Sequence, residues 1–313
     1  MGNAIRARLA ALRVPMMAAP MFLVSGPELV LAACRAGIAG AFPAPNARTL
    51  EDLDAWMRRI VEALEAGQAE DQQGPWVLNL VTHSSYDRLP AELELLSRYR
   101  PPVVVTALGS PAPVVETVHA YGGLVLADVN SIALARKAAA VGVDGLILVC
   151  AGAGGHTGRI SPFAFVPAVR EFFDGIIVLA GAVSTGAAVR AAELLGADLV
   201  SVGTPFIATR ESLAPQDYRD MLARASLEDL VLTKALTGAE AYYLRESLLA
   251  MGLDPANLAD AAQMDLSGGG AKVRAWKHVW SAGQGVGLVH CTEPVATLVE
   301  RYEREYRAAG VAA

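Results

Sequence analysis

Between residues 151 and 158 the chain reads Ala151-Gly152-Ala153-Gly154-Gly155-His156-Thr157-Gly158. Glycines in such a run let backbone N–H groups come close to a flat ring or an anion. A histidine at its rim can take or give a proton near neutral pH. The run directly follows the apolar stretch Gly145–Val149, which places it at a strand end. Two later strand ends have the same character. Ile177–Ala180 runs into Gly181-Ala182, and Leu199–Val202 runs into Gly203-Thr204. Gly181 and Gly203 free backbone donors, and Thr204 adds a hydroxyl. Together they suit a phosphate. His156 is thus the candidate catalytic group, and the tandem glycine turns are a candidate anion cradle. The bland alternative is that the glycines only end strands.

Further polar residues stand at strand ends or inside apolar runs. Asn79 interrupts Trp76–Val81, and a buried amide costs free energy unless it is hydrogen-bonded. It reads equally as a ligand contact or a satisfied structural amide. Asp128 follows Gly123–Ala127 and could instead cap the helix expected from Ser131. Met16, Met17 and Met21 read as core filler. His83 could reach the same mouth, whereas His119, His278 and His290 carry no partner pattern. No H-E-x-x-H, G-x-S-x-G or Walker A pattern occurs.

These residues need elements to hold them. Eight short apolar runs alternate with helical segments. They are Pro15–Ala19, Ile38–Phe42, Trp76–Val81, Val103–Ala107, Gly123–Ala127, Gly145–Val149, Ile176–Ala180 and Leu199–Val202. Helical spacing is clearest over Pro27–Ala36, Leu50–Ala66, Ala112–Tyr121, Ser131–Val141 and Thr185–Leu195. Ser25 is the expected cap of the first of these and Thr49 of the second. Eight βα units in about 200 residues predict a (β/α)₈ TIM barrel, with its active site at the C-terminal mouth. An open doubly wound sheet is the rival. After Arg210 the pattern changes. Asp217–Ala225, Glu228–Leu236, Ala239–Met251 and Pro255–Ala262 read as helices, followed by a flexible Ser267-Gly268-Gly269-Gly270. Residues 1–213 and 281–313 are therefore expected to build the barrel, with a helical substrate-side subdomain over 214–280. Pro294–Ala308 is expected to return to the barrel as an amphipathic helix.

Composition narrows the function class. The 313 residues are 53% hydrophobic and 6% aromatic, enough for a large core. A net charge of −6 without a basic stripe argues against nucleic acid. No apolar run approaches the roughly 20 residues of a membrane span, and the start is a poor signal peptide and no myristoylation motif. Cys34, Cys150 and Cys291 are odd in number and far apart, which suits a reducing, cytoplasmic setting.

Taken in order, several pieces resemble the nitronate monooxygenase (2-nitropropane dioxygenase) family. They are Pro15-Met16-Met17-Ala18-Ala19-Pro20-Met21, Asn79, Ala153–Gly158, Ala180-Gly181-Ala182, Val202–Phe206 and Trp280-Ser281-Ala282-Gly283-Gln284. The resemblance implies a barrel with one non-covalent FMN. Ala19 and Met21 would lie beside the flavin ring, and Asn79 and Gln284 would contact it. Gly154 and Gly155 would approach the ring or phosphate; Gly181, Ala182, Gly203 and Thr204 would hold the phosphate. His156 would be the base, or would orient the substrate. The implied reaction oxidises a nitronate, or a nitroalkane after deprotonation, with O₂ to a carbonyl compound and nitrite. The chain departs from the family in three places. Val149 and Gly152 stand where many members have Gln and Glu, and Asp128 stands where related flavin reductases place a lysine. Two other functions stay open: an FMN-dependent NAD(P)H reductase of a quinone or enoyl thioester, and a barrel that binds FMN or another phosphate ligand without turnover. The expected partners are a small-molecule substrate with O₂ or NAD(P)H, and surface helices leave a homodimer open.

Overall fold

The computed structural model describes residues 2–67, 73–259 and 275–310. In chain order it begins with α1 (Gly2–Ala10), β1 (Met16–Ala18), α2 (Pro27–Arg35), β2 (Ala39–Pro43), a 3₁₀ turn (Ala44–Asn46), α3 (Leu50–Glu65), β3 (Trp76–Val81) and α4 (Leu89–Tyr99). Then follow β4 (Val103–Ala107), α5 (Ala112–Ala120), β5 (Leu124–Val129), α6 (Ile132–Val141), β6 (Gly145–Val149), the two-residue β7 (Gly155–His156) and α7 (Pro162–Arg170). The chain continues through β8 (Ile176–Ala180), α8 (Gly186–Leu195), β9 (Leu199–Val202) and the short α9 (Thr204–Ile207). Next come α10 (Gln216–Arg224), β10 (Leu230–Thr233), β11 (Ala241–Leu244), α11 (Arg245–Ala250) and the terminal α12 (Val295–Ala309).

Strands β1, β2, β3, β4, β5, β6, β8 and β9 close into a parallel barrel. Closure is by β1 on β9, with Met17 beside Ser201 and Ala18 beside Val202. The open-sheet rival is thereby excluded. Buried on both faces, the strands need no polar side, and this is why each was legible as a continuous apolar run. Alternation then sorts their side chains. Met17, Ala41, Val77, Val105, Leu126, Ile147 and Val178 fill the barrel interior, where Ile5 and Leu9 of α1 join them. Leu78, Val104, Val125, Leu148 and Leu179 belong to the outer layer under the helices.

Local chemistry fixes the helix starts. Thr49 and Asp52 form a reciprocal capping box on α3. Ser131 caps α6 by accepting from the Leu134 N–H, so Asp128 is not that helix's cap. The expected Ser25 cap is corrected: Gly26 occupies the N-cap of α2 with no side-chain bond. The Ser25 hydroxyl turns back instead, donating to Ala19 O at 3.1 Å and accepting from Met21 N at 3.0 Å.

The segment after Arg210 also differs from the expected string of helices. The α10 expectation holds, but Glu228–Leu236 and Ala239–Met251 hold the antiparallel pair β10–β11, and their helical parts are a 3₁₀ turn (Leu227–Asp229) and α11. Gly238, at φ 75°, turns the chain between them. β11 then pairs with β7, with His156 beside Ala241 and Gly155 beside Tyr242. From Pro255 onward the expected helix is a turn, and the remainder of it, with Ser267–Gly270, lies outside the described residues. Among the described residues no helix is long and apolar enough to cross a membrane.

Candidate active site

The C-terminal ends of the barrel strands open into a cavity of about 1670 Å³. That exceeds the roughly 300–1,000 Å³ usual for a small-molecule site. Ala19, Asn79, Ala107, Asp128, Val149, Ala180 and Gly203 line it from the strand ends. The glycine-rich loop supplies Gly152, Gly154, Gly155 and His156, while Met21, Gly181, Ala182 and Thr204 complete the wall. Of the residues singled out in the sequence, only Gln284 does not line the cavity. Its Nε2 donates to the Tyr242 hydroxyl at 2.9 Å.

The first loop is held by a residue that the sequence did not flag. Asn46, 6% exposed, donates from Nδ2 to Met21 O (2.9 Å) and Ser25 O (2.7 Å). Its Oδ1 accepts from Leu23 N at 2.7 Å. These bonds fix Ala19 and Met21 against the mouth. Asn79 faces the cavity with a long 3.4 Å bond from Nδ2 to Val105 O, which leaves most of its bonding capacity for a ligand.

The histidine loop is pinned to the chain's C-terminal return. Gly155 N donates to Ser281 Oγ at 2.7 Å, and Ser281 Oγ donates to Tyr242 O at 2.5 Å. Gln284 N donates to Gly152 O at 3.0 Å. A Cβ on Gly154 would sit 2.7 Å from Gly283 N, so glycine is what permits this contact. His156 Nε2 lies 3.2 Å from Thr237 Oγ1. Trp276 packs edge-on against its ring at 5.0 Å. Burial lowers the His156 pKa and keeps the ring neutral at pH 7.

Unsatisfied donors stand beside the glycine loop, where a Cβ on Gly152 would meet Ala182 Cβ at 3.1 Å and one on Gly181 would meet Ala153 N at 3.2 Å. Among the described residues, the N–H groups of Gly181, Ala182, Gly203 and Thr204 bond to nothing in the protein. Gly181 (φ 136°) and Ala182 (φ 56°) both lie at positive φ, consecutive residues of a turned backbone that can surround an anion. The Thr204 hydroxyl accepts from Gly283 N at 2.8 Å, leaving its own proton to donate. Such a ring of free donors fits a phosphate group. Alanine, glycine and valine line the cavity beside it, with Arg48, Arg88, Lys137 and Lys277 elsewhere on the lining, and the one carboxyl side chain among the described lining residues is Asp128. It faces the mouth with no hydrogen bond or ion pair to any described residue, and burial pushes its carboxyl up to about 7. Among the described residues, no cluster of His, Cys, Asp or Glu is arranged to hold a metal ion.

A (β/α)₈ barrel with a histidine and a ring of free backbone donors at its C-terminal mouth has the layout of a small-molecule enzyme. Residues 4–301 match the nitronate monooxygenase family, and the chain belongs to it. It is an oxidoreductase of a flavoenzyme family. It is 27% identical to a nitronate monooxygenase of Paraburkholderia phytofirmans over 94% of this chain and 92% of that one. A protein of Mycobacterium tuberculosis named for a monooxygenase is 36% identical over 46% of this chain, a match that spans 39% of the relative's own length. The nitroalkane oxidase of Streptomyces ansochromogenes superposes with a TM-score of 0.80 at 25% identity, covering 98% of this chain and 99% of that one.

Proposed function

We propose that this protein is an FMN-dependent nitronate monooxygenase, oxidising nitronates, and nitroalkanes after deprotonation, with O₂ to a carbonyl compound and nitrite. The observation that carries the reading is that one cavity is lined both by a half-buried histidine and by a ring of free backbone donors. FMN, when bound, supplies the redox chemistry: it accepts the substrate's electrons and passes them to O₂. The N–H groups of Gly181, Ala182, Gly203 and Thr204 receive the phosphate. Ala19, Met21, Gly154 and Gly155 flank the ring, and Asn79 offers it a polar contact. Gln284 acts from behind, through its bonds to Gly152 and Tyr242. His156 removes the α-proton of a neutral nitroalkane, and Leu236, Thr237, Ala275 and Trp276, from the segment after the barrel, cover the substrate side of the mouth. Names of relatives that act on nitronates and nitroalkanes support the same substrate class.

The test is a visible spectrum of the purified protein, followed by anaerobic additions. Flavin bands bleached by propyl-2-nitronate and not by NADH or NADPH are expected. Bleaching by a nicotinamide alone would replace this reading with the reductase. Tight FMN binding with no bleaching by any donor would point to a binding protein, and a colourless protein that FMN does not reconstitute would remove the cofactor. In His156→Ala, oxidation of neutral 2-nitropropane should fall by about 10²–10⁴-fold, the usual worth of a general base, while preformed nitronate remains a substrate. Equal losses on both would sink the base role.

A further inference from the structure

Thr237 lies in the turn between β10 and β11 and is 2% exposed. Its hydroxyl donates to Ala239 O at 3.2 Å, lies 3.2 Å from His156 Nε2, and also meets the Tyr243 phenol. A hydroxyl carries one proton. With that proton committed to Ala239 O, the Thr237 oxygen has only lone pairs to offer the ring. Nε2 must then carry a hydrogen and donate it, and in a neutral imidazole Nδ1 is left bare. Nδ1 has no hydrogen-bond partner among the described residues. The Trp276 ring stands at 84° to the imidazole and limits its rotation.

The surroundings do not offer another way to set the tautomer. Glu240, next to the β7–β11 pairing, is tied to Arg159. Lys277 lines the cavity but is paired with nothing described. The Tyr243 phenol, pushed up to about 12 by burial, keeps its own proton. Burial alone accounts for the direction of the His156 shift.

We propose that Thr237 is a positioning residue, fixing His156 as the Nε2–H tautomer so that Nδ1 is the nitrogen that meets the substrate's α-proton. The inference rests on the reading of His156 as the base, and the two can fail separately. The tautomer is read by ¹⁵N NMR on histidine-labelled protein, with the His156 signals among the five histidines identified by their loss in His156→Gln. Above the ring's titration, Nε2 should resonate as a protonated nitrogen and Nδ1 as a bare one. Thr237→Val should mix the tautomers and slow oxidation of neutral nitroalkane roughly tenfold or more, within the range of general-base effects, with little change on preformed nitronate. Thr237→Ser, which keeps the hydroxyl, should restore both. An Nδ1–H signal in the unsubstituted protein overturns the proposal without any variant needing to fold, as does an unchanged tautomer in Thr237→Val. A correct tautomer, lost in Thr237→Val, in a protein that oxidises no nitro compound upholds the positioning role and removes the nitronate reading.

Discussion

At the scale of single residues, the glycines of the mouth do not all serve the same end. Gly181 sits at φ 136°, so any side chain there strains the backbone as well as narrowing the site. Gly203, at φ −108°, is in ordinary backbone territory. A Cβ there would meet Met21 Sδ at 3.4 Å and Ala19 Cβ at 3.7 Å, which is normal contact. Gly203→Val is therefore the cleaner probe of the anion cradle. Its fold should be disturbed less than that of Gly181→Val, and FMN binding should weaken at least about tenfold, or roughly 1.4 kcal/mol. Unchanged affinity by flavin fluorescence titration would remove the phosphate assignment. Gly152 illustrates the converse, a departure from the family pattern that the structure explains. At φ 90° its Cβ would lie 2.7 Å from Gln284 Oε1. The space a glutamate would need is occupied by Gln284, whose side chain reaches on to Tyr242.

At the scale of elements, the site depends on the three-stranded sheet β10–β11–β7 that joins the histidine loop to the segment after the barrel. Ser281 is its clasp. Its hydroxyl takes the Gly155 N–H and gives its proton to Tyr242 O, while its own backbone is held by the Tyr218 hydroxyl. Ser281→Ala leaves the buried Gly155 donor and the Tyr242 carbonyl unpaired, at a cost of about 1–3 kcal/mol. The loss should be local. Amide exchange at residues 154–157 should speed up, with the barrel strands keeping their protection. Uniform loss of protection would show that the sheet is not a separable unit. This sheet is also what the sequence concealed. The barrel strands announced themselves because parallel, doubly covered strands must be apolar throughout, and all eight appeared where the apolar runs lay. β7 is two residues of a glycine loop, and its identity exists only through its partner. Leu230–Thr233 is largely half-buried, so it lacks both a continuous apolar run and a sharp alternation. The same holds for the site. His156 and the glycine turns were legible because strand ends in this fold carry chemistry. Asn46, Thr237, Trp276 and Ser281 were not, since their meaning comes from contacts tens of residues away.

At the scale of the whole molecule, the two ends of the barrel treat charge differently. At the closed end α1 plugs the interior with Ile5 and Leu9, and Asp144 is fully engaged there. It meets Arg6 at 3.0 Å, His119 at 2.8 Å and the Val125 N–H at 2.9 Å. At the open end Asp128 meets nothing charged, and desolvation alone raises its carboxyl to about 7. The consequence for stability has a definite sign. In the unfolded chain this aspartate ionises near its ordinary value of about 3.9. Below that pH both states hold the proton and Asp128 has no effect. Between there and about 7 the unfolded chain releases its proton while the folded protein keeps it, so stability declines as pH rises. Above that range the burial of an unpaired charge is felt in full. Asp128→Asn removes the ionisation and keeps the shape. The flavin-free protein should therefore melt higher in Asp128→Asn at pH 8, with a much smaller rise at pH 4.5, near the start of that range. The gain at pH 8 should be at least about 2–4 °C, the rise that about 1 kcal/mol gives a domain of roughly 150–250 residues. An equal shift at both pH values would mean that packing, not ionisation, had changed. A lower melting temperature at pH 8 would mean that the carboxylate has a stabilising partner when charged, and that the open end of the barrel is not the uncompensated site its geometry describes.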